Sequence, residues 1–402
     1  MRIGMILKGN IPPPDIRIEK EASTLIREGH EVNLLLERRQ GEAREMETAG
    51  IRCVRGVQMG RLREILHRYT FSFTFRDPAW RRAIREFAVS RGVDVLHVHD
   101  LPLVREAISV GRELGIPVVA DMHENYPGGL QVWYTSRLKK KTIYNFNRWA
   151  RYEREILREA DAVIAVIEES KERLKAIGIP EERIFVVPNT SPVESIDIPL
   201  DEAIIGKYRD LFMVSYIGGF APHRGLDTSI RALPHLRGRI PDMKLVLVGD
   251  RNRPYMEYLV ALAEKLGVSD MVEMTGWQPF GKIWSYIAAS RVCLVPHARN
   301  PHTDTTIPHK IFQYMMIRKP VVVSDCPPLK RIIEDSGGGL VFRHDSPEEL
   351  AECIARFRED GEFSRQAGEK GRAAFLDRYN WDSTSGDLRK LYGALARRAE
   401  KS

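Results

Sequence analysis

Apolar residues along the chain gather into short β-branched runs with helical patterns between most of them. In the first half the runs are Arg2–Leu7, Glu31–Leu36, Val93–Val98, Ile116–Ala120, Ala162–Val166 and Ile184–Val187. Asp15–Arg17 reads as loop. The helix after it carries Ile18, Ala22 and Leu25 on one face and stops at Gly29, a residue suited to a left-handed helix end. From Asn189 to Lys207 the pattern lapses into Thr-Ser-Pro-Val-Glu-Ser and Ile-Pro-Leu-Asp. A second series then starts, with runs at Phe212–Ile217, Leu245–Val248, Met271–Thr275, Val292–Val295 and Val321–Val323. Trp381 to Ala399 reads as one amphipathic helix that turns Leu388, Leu391, Tyr392 and Leu395 inward.

Near-continuous apolar strands alternating with helices predict parallel sheets covered on both faces. The expected class is therefore α/β, with two Rossmann-like, doubly wound parallel-sheet domains facing a central cleft. The boundaries expected are 1–190, a linker at 191–210, a second domain at 211–376, and a tail at 377–402 packing back on the first domain. Such sheets collect ligands at the carboxyl ends of their strands, which directs attention to those loops.

Composition changes this picture little. At 402 residues the chain exceeds one ordinary core. The net charge of +7 suits an anionic partner, and no nucleic-acid motif accompanies it. Met1 to Leu7 is short and meets Lys8 at once, as a first strand does and a secretory leader does not. No apolar run approaches the ~20 residues a membrane span needs. Cys53, Cys293, Cys326 and Cys353 form no close-spaced pair, which suits buried thiols in a reducing, cytoplasmic setting.

The loops themselves carry a resemblance. Pro13-Pro-Asp15-Ile-Arg17 precedes a helix and Gly29-His30-Glu31-Val32. Val95-Leu-His-Val-His99-Asp100, Asp121-Met-His123-Glu124 and Val186-Val-Pro-Asn189 follow. In the second half come Ile217-Gly-Gly219 with Arg224-Gly225, Leu247-Val-Gly249, and Pro308-His-Lys310-Ile-Phe-Gln313-Tyr-Met315 before Lys319-Pro-Val-Val-Val-Ser324. Taken in order, these segments resemble the retaining glycosyltransferase family 4, the glycosyl transferases group 1, in its Pro-x-Lys-x-Phe-x-Tyr-Met variant. The resemblance implies the GT-B fold and transfer of a sugar from a nucleotide-sugar with retention of configuration. It also implies that no metal and no cofactor are needed, the nucleotide-sugar being a substrate. The acceptor is expected on the first domain and the donor on the second.

The chemistry such a reaction needs can be placed on residues. A departing nucleoside diphosphate gains negative charge, and fixed cations must meet it when no metal does. Gly218 and Gly219, after a strand and ahead of a helix, let backbone N–H groups approach phosphate. Arg224, read as part of that helix's first turn, offers a forked guanidinium. Lys310, read as an exposed lysine at a helix start, opposes the helix dipole unless an anion sits there. His123, after the strand Ile116–Ala120, is a versatile donor near neutral pH. The catalytic candidates are thus His123, Arg224 and Lys310. Gly249, Gly276, Trp277, Gln278, Thr305, Thr306 and Gln313 join Gly218 and Gly219 as donor-binding candidates, with the base expected at Gly276-Trp277-Gln278. No Asp-x-Asp occurs in the chain, which removes the usual metal-dependent transferase. Departures from the family pattern put Thr305 and Gln313 where it shows a Glu pair, Gly219 where it shows Arg, and Arg224 where it shows Lys.

On the acceptor side the candidates are Lys8, Asp15, Arg17, His99, Asp100 and Glu124. Arg61–Arg82 mixes basic residues with Tyr69, Phe71, Phe73, Phe75 and Trp80. Arg137, Lys139, Lys140 and Lys141 precede Tyr144, Phe146, Trp149 and Tyr152. This mixture suits an anionic membrane surface, here the cytoplasmic leaflet, and a lipid-linked or cell-surface glycan acceptor. Its plain alternative is a solvated helix with an ordinary aromatic core face. Two further readings compete: a catalytically weak or inactive nucleotide-sugar or glycan-binding homologue, favoured by the departures above, and a metal-dependent hydrolase using His97, His99, Asp100 and His123.

Overall fold

A computed structural model describes residues 1–9, 16–38, 41–58, 69–193, 199–250 and 252–399. The chain divides into two units, Met1–Pro188 with Ser385–Ser402, and Asn189–Thr384. Asp15 and residues 61–68 of the basic-aromatic stretch lie outside the described residues.

The first unit is built on an eight-stranded sheet: β1 (Arg2–Leu7), β2 (Glu31–Glu37), β3 (Glu45–Thr48), β4 (Ile51–Val57), β5 (Val95–His99), β6 (Val118–Met122), β7 (Ala162–Ala165) and β8 (Ile184–Val186). Its order is β3-β4-β2-β1-β5-β6-β7-β8, and every pairing is parallel except that of β3 with β4. β5 and β6 are buried along their whole length, as strands covered on both faces must be. Their Val and Leu side chains meet Trp80, Ile84 and Phe87 from the helix Pro78–Arg91 in one apolar core.

The second unit carries β9 (Phe212–Ile217), β10 (Met243–Val248), β11 (Val272–Gly276), β12 (Val292–Val295), β13 (Val321–Ser324) and β14 (Gly339–Phe342), all parallel, in the order β11-β10-β9-β12-β13-β14. Among the parallel strands of each sheet the order reverses at one place, between β1 and β5 in the first and between β9 and β12 in the second. Helices leave opposite faces there, so the loops diverge and open a crevice.

Four local expectations are corrected. Arg17 is not in a loop; it stands in the first turn of the helix Ile16–Arg27. The tail is two helices, Trp381–Thr384 and Gly386–Ala399, interrupted at the buried Ser385. Leu388, Leu391, Tyr392 and Leu395 do turn inward, within the first unit. The segment expected as a linker counts with the second unit, where Asp201 caps the helix Glu202–Lys207 and donates its backbone N–H to the Ser285 hydroxyl oxygen at 2.8 Å. Three strands were not among the expected runs: β3, whose Glu-Met-Glu-Thr sequence suits a half-exposed antiparallel edge, β4, which it pairs with, and β14, which opens on glycine.

Candidate functional site

The second unit places its candidates around the reversal between β9 and β12. Gly218 follows β9 at φ 139°, a conformation that L side chains rarely adopt, and a Cβ there would stand 2.6 Å from Lys310 Nζ. The backbone therefore passes directly beneath the lysine. A tight turn, Pro222–Arg224, comes next, and Gly225 closes it at φ 65°. A Cβ on Gly225 would meet the Pro296 carbonyl oxygen at 1.8 Å, so glycine allows the turn to dock against the loop after β12. That docking sets Arg224 beside His297, to which Nη1 donates at 3.2 Å. Arg224 thus lies ahead of the helix Leu226–Leu236 rather than in its first turn.

Lys310 opens the helix Lys310–Met316 but is only 7% exposed, against the expectation of an exposed lysine. Its Nζ sits 3.7 Å from the centroid of the Tyr216 ring, and the groups shifting its proton affinity are burial and then Arg224, both downward. Burial holds its pKa well below the ordinary lysine value. His297 is likewise depressed, by burial, then Arg224 and Lys310. His223 is pushed down to about 3 by burial, then Arg224, His302 and Lys310. No carboxylate figures among these neighbours. Buried histidines and a buried lysine beside a half-buried arginine, with no carboxylate among the groups that shift them, have the electrostatics of an anion site.

The remaining donor-side candidates fall as follows. Gly249 and Gly276 bridge at the ends of β10 and β11, the Gly249 N–H donating to Gly276 at 3.0 Å. Trp277 is 68% exposed, while Gln278 donates from Nε2 to the Thr275 carbonyl at 3.0 Å. Thr305 and Thr306 turn their hydroxyls onto loop carbonyls, Pro301 at 2.8 Å and His302 at 2.9 Å. Gln313 is buried one helical turn beyond Lys310.

In the first unit the sheet reversal holds a buried charge network. Arg17, 1% exposed, donates Nε and Nη2 to the two oxygens of Asp121 at 3.2 and 2.9 Å, and Nη1 to the Val187 carbonyl at 2.9 Å. Its Nη2 also lies 2.9 Å from Glu21. Asp121 Oδ2 accepts from His99 Nδ1 at 3.0 Å and His123 Nε2 at 2.8 Å. Burial opposes charge on His123, but Asp121 and Asp100 outweigh it and hold its pKa up to about 9. His123 is therefore imidazolium at neutral pH. His99, lowered to about 3 by burial and then His97, stays neutral. Asp100, at the end of β5, adopts φ 63° without being glycine, a strained geometry of the kind that concentrates at functional sites.

Glu21, His97, His99 and Asp121 have ligand atoms within 4.8 Å of one another, a spacing that a metal ion would accept. This differs from the set expected for a hydrolase: Asp100 stands 4.0 Å from His123 Nδ1, and neither joins the group. The two carboxylates face Arg17 and the imidazolium of His123, so the protein's own cations already balance them. A divalent ion would leave the interior with surplus positive charge.

Lys8 and Asp100 line a cavity of about 360 Å³ with His99, Phe71, Tyr126, Tyr134, Tyr144 and Trp149. Lys8 lies over the Phe71 ring at 4.4 Å and pairs with Asp77 at 3.5 Å. Glu124 is half-buried outside this cavity. The aromatic-basic stretches divide. Tyr144, Trp149, Tyr152, Phe71 and Trp80 are buried, whereas Tyr69, Phe73, Trp133, Leu138 and Phe146 are exposed.

Sequence reasoning missed Glu21, Asp121 and Tyr392 in the first unit and His223, His297 and His302 in the second. Glu21 carried a readable signal, four residues beyond Arg17 on one helix. Tyr392, whose hydroxyl meets His97 Nδ1 at 2.7 Å across 295 residues, carried none.

Both units match families of known proteins. Residues 15–190 match the glycosyl transferase 4-like domain, and residues 197–374 match the glycosyl transferases group 1. An uncharacterized glycosyltransferase of Methanocaldococcus jannaschii is 24% identical over 380 residues, 92% of this chain and 91% of that one. Among solved structures, sucrose-phosphate synthase from Thermosynechococcus elongatus superposes at a TM-score of 0.78 with 19% identity, covering 99% of each chain. Anabaena HepE in complex with UDP-glucose does so at 0.73 with 15% identity, covering 98% of this chain and 100% of its own. The fold is GT-B.

Proposed function

We propose for this chain, a glycosyltransferase of the GT-B type, the transfer of a sugar from a nucleoside diphosphate sugar with retention of configuration and without a metal. The observation that carries this reading is Lys310, buried beside Arg224 with no carboxylate among the groups that shift it. Both cations would neutralise the leaving diphosphate, and the Gly218-Gly219 backbone would let it approach. His123 supports the reading as an imidazolium fixed by Asp121, able to donate a charge-assisted hydrogen bond from its partly exposed ring. The structure of HepE with UDP-glucose supports a nucleotide-sugar as donor.

For the acceptor we assign the first unit and a lipid-linked or cell-surface glycan, met at an anionic membrane surface. Exposed Leu138, Phe146 and Trp133 beside Arg137, Lys139, Lys140 and Lys141 support that surface. A thermal-shift screen against UDP-, GDP- and ADP-sugars in EDTA tests the donor assignment. One of the three raises the melting temperature in the wild type, and none does so in Lys310→Met.

A further inference from the structure

Near Lys310 lies a polar group that the proposed reaction leaves unused. His223, in the turn Pro222–Arg224, is 8% exposed, and neither ring nitrogen has a hydrogen-bond partner among the described residues. Its carbonyl anchors the turn by accepting from the Ala298 N–H at 3.1 Å, so the ring is held there by backbone. The His302 ring stands 5.8 Å away, edge to face. A buried polar group left unsatisfied is costly to the fold, and a ligand that supplies the partner recovers that cost.

The chemistry of that partner follows from what faces His223. The charged and titratable groups around it are Arg224 from the same turn, His302 from the loop after β12 and Lys310 from its helix, with His297 behind Arg224. No carboxylate is among them, so the missing partner is an anion. A diphosphate presents acceptors only. Neutral imidazole meets it with one N–H and one mismatched lone pair, whereas imidazolium meets it with two donors.

We propose that His223 is a further ligand of the donor's diphosphate and that it takes up a proton from water as that group binds. The inference rests on the diphosphate site argued above. It also offers a source of positive charge in a loop where Gly219 provides none. The new N–H bond at the free ring nitrogen is matched by the bond broken in the hydronium or buffer acid that gives the proton, and release of the nucleoside diphosphate returns the proton to solvent.

Isothermal titration with inorganic pyrophosphate, at pH 7.5 in two buffers of different ionisation enthalpy, counts the protons taken up. The probe's own protonation is common to wild type and His223→Gln, so the difference belongs to the ring. The expected result is about one more proton taken up by the wild type, with roughly tenfold weaker binding by the variant. In the wild type with ¹³C-labelled histidine, the His223 Cε1 resonance moves from its neutral to its imidazolium position at saturation. Equal proton counts, or an unmoved His223 resonance while those of His297 and His302 shift, would overturn the inference and leave the diphosphate site standing. Failure of pyrophosphate to bind either protein would remove both.

Discussion

Lys310 Nζ sits over the ring of Tyr216, 3.7 Å from its centroid, buried and with no carboxylate paired to it among the described residues. A buried charge in this state is a liability to the fold unless something binds it. Lys310→Met keeps the length and apolar stem and removes the charge. We expect the ligand-free protein to gain on the order of 1–2 kcal/mol in urea denaturation, while turnover falls about 100-fold. A merely structural lysine would show the opposite, lost stability with turnover retained.

Gly218→Ala probes the same contact from the backbone. The new methyl would stand 2.6 Å from Lys310 Nζ and force an alanine to φ 139°. Strain costs about 1–3 kcal/mol, and the displaced ammonium weakens nucleoside diphosphate binding roughly tenfold. Calorimetry of the folded variant separates the two effects.

In the first unit Asp121 accepts from Arg17, His99 and His123 together. Asp121→Asn strands the buried Arg17, and we expect a loss of about 3–5 kcal/mol. In variant protein that still folds, the His123 pKa falls from about 9 toward its ordinary value of 6.5, read by histidine NMR.

Stability against pH follows from the histidines. His99 and His223 bind a proton at about 3 in the native state but near 6.5 when unfolded. Their contribution is complete above 6.5 and is lost as pH falls toward 3. His123 works in the other direction: its contribution is complete below 6.5 and is lost as pH rises through about 9. Denaturation midpoints therefore fall on both sides of neutrality, and His223→Gln flattens the acid limb.

The parallel sheets and both crevices were legible because Val, Ile and Leu runs ending in glycine or a polar loop announce buried strands and their carboxyl ends. Gly218 and Arg224 were singled out after such a run, and Lys310 by its place at a helix start and by the family resemblance. The burial of Lys310 was not legible, since it comes from Tyr216 on β9, far away in sequence. Nor was the partnership of Arg17, which was read as loop because the Pro-rich stretch before it masked the helix start. His223 escaped notice because an isolated histidine in a turn carries no pattern; only its unpartnered ring marks it.

The central claim is that fixed protein cations receive the diphosphate. Titrating nucleoside diphosphates into wild type and Lys310→Met, both in EDTA, measures it most directly. We expect that one of UDP, GDP or ADP binds the wild type and that its affinity drops about 100-fold in the variant. Equal affinity in both proteins would contradict it.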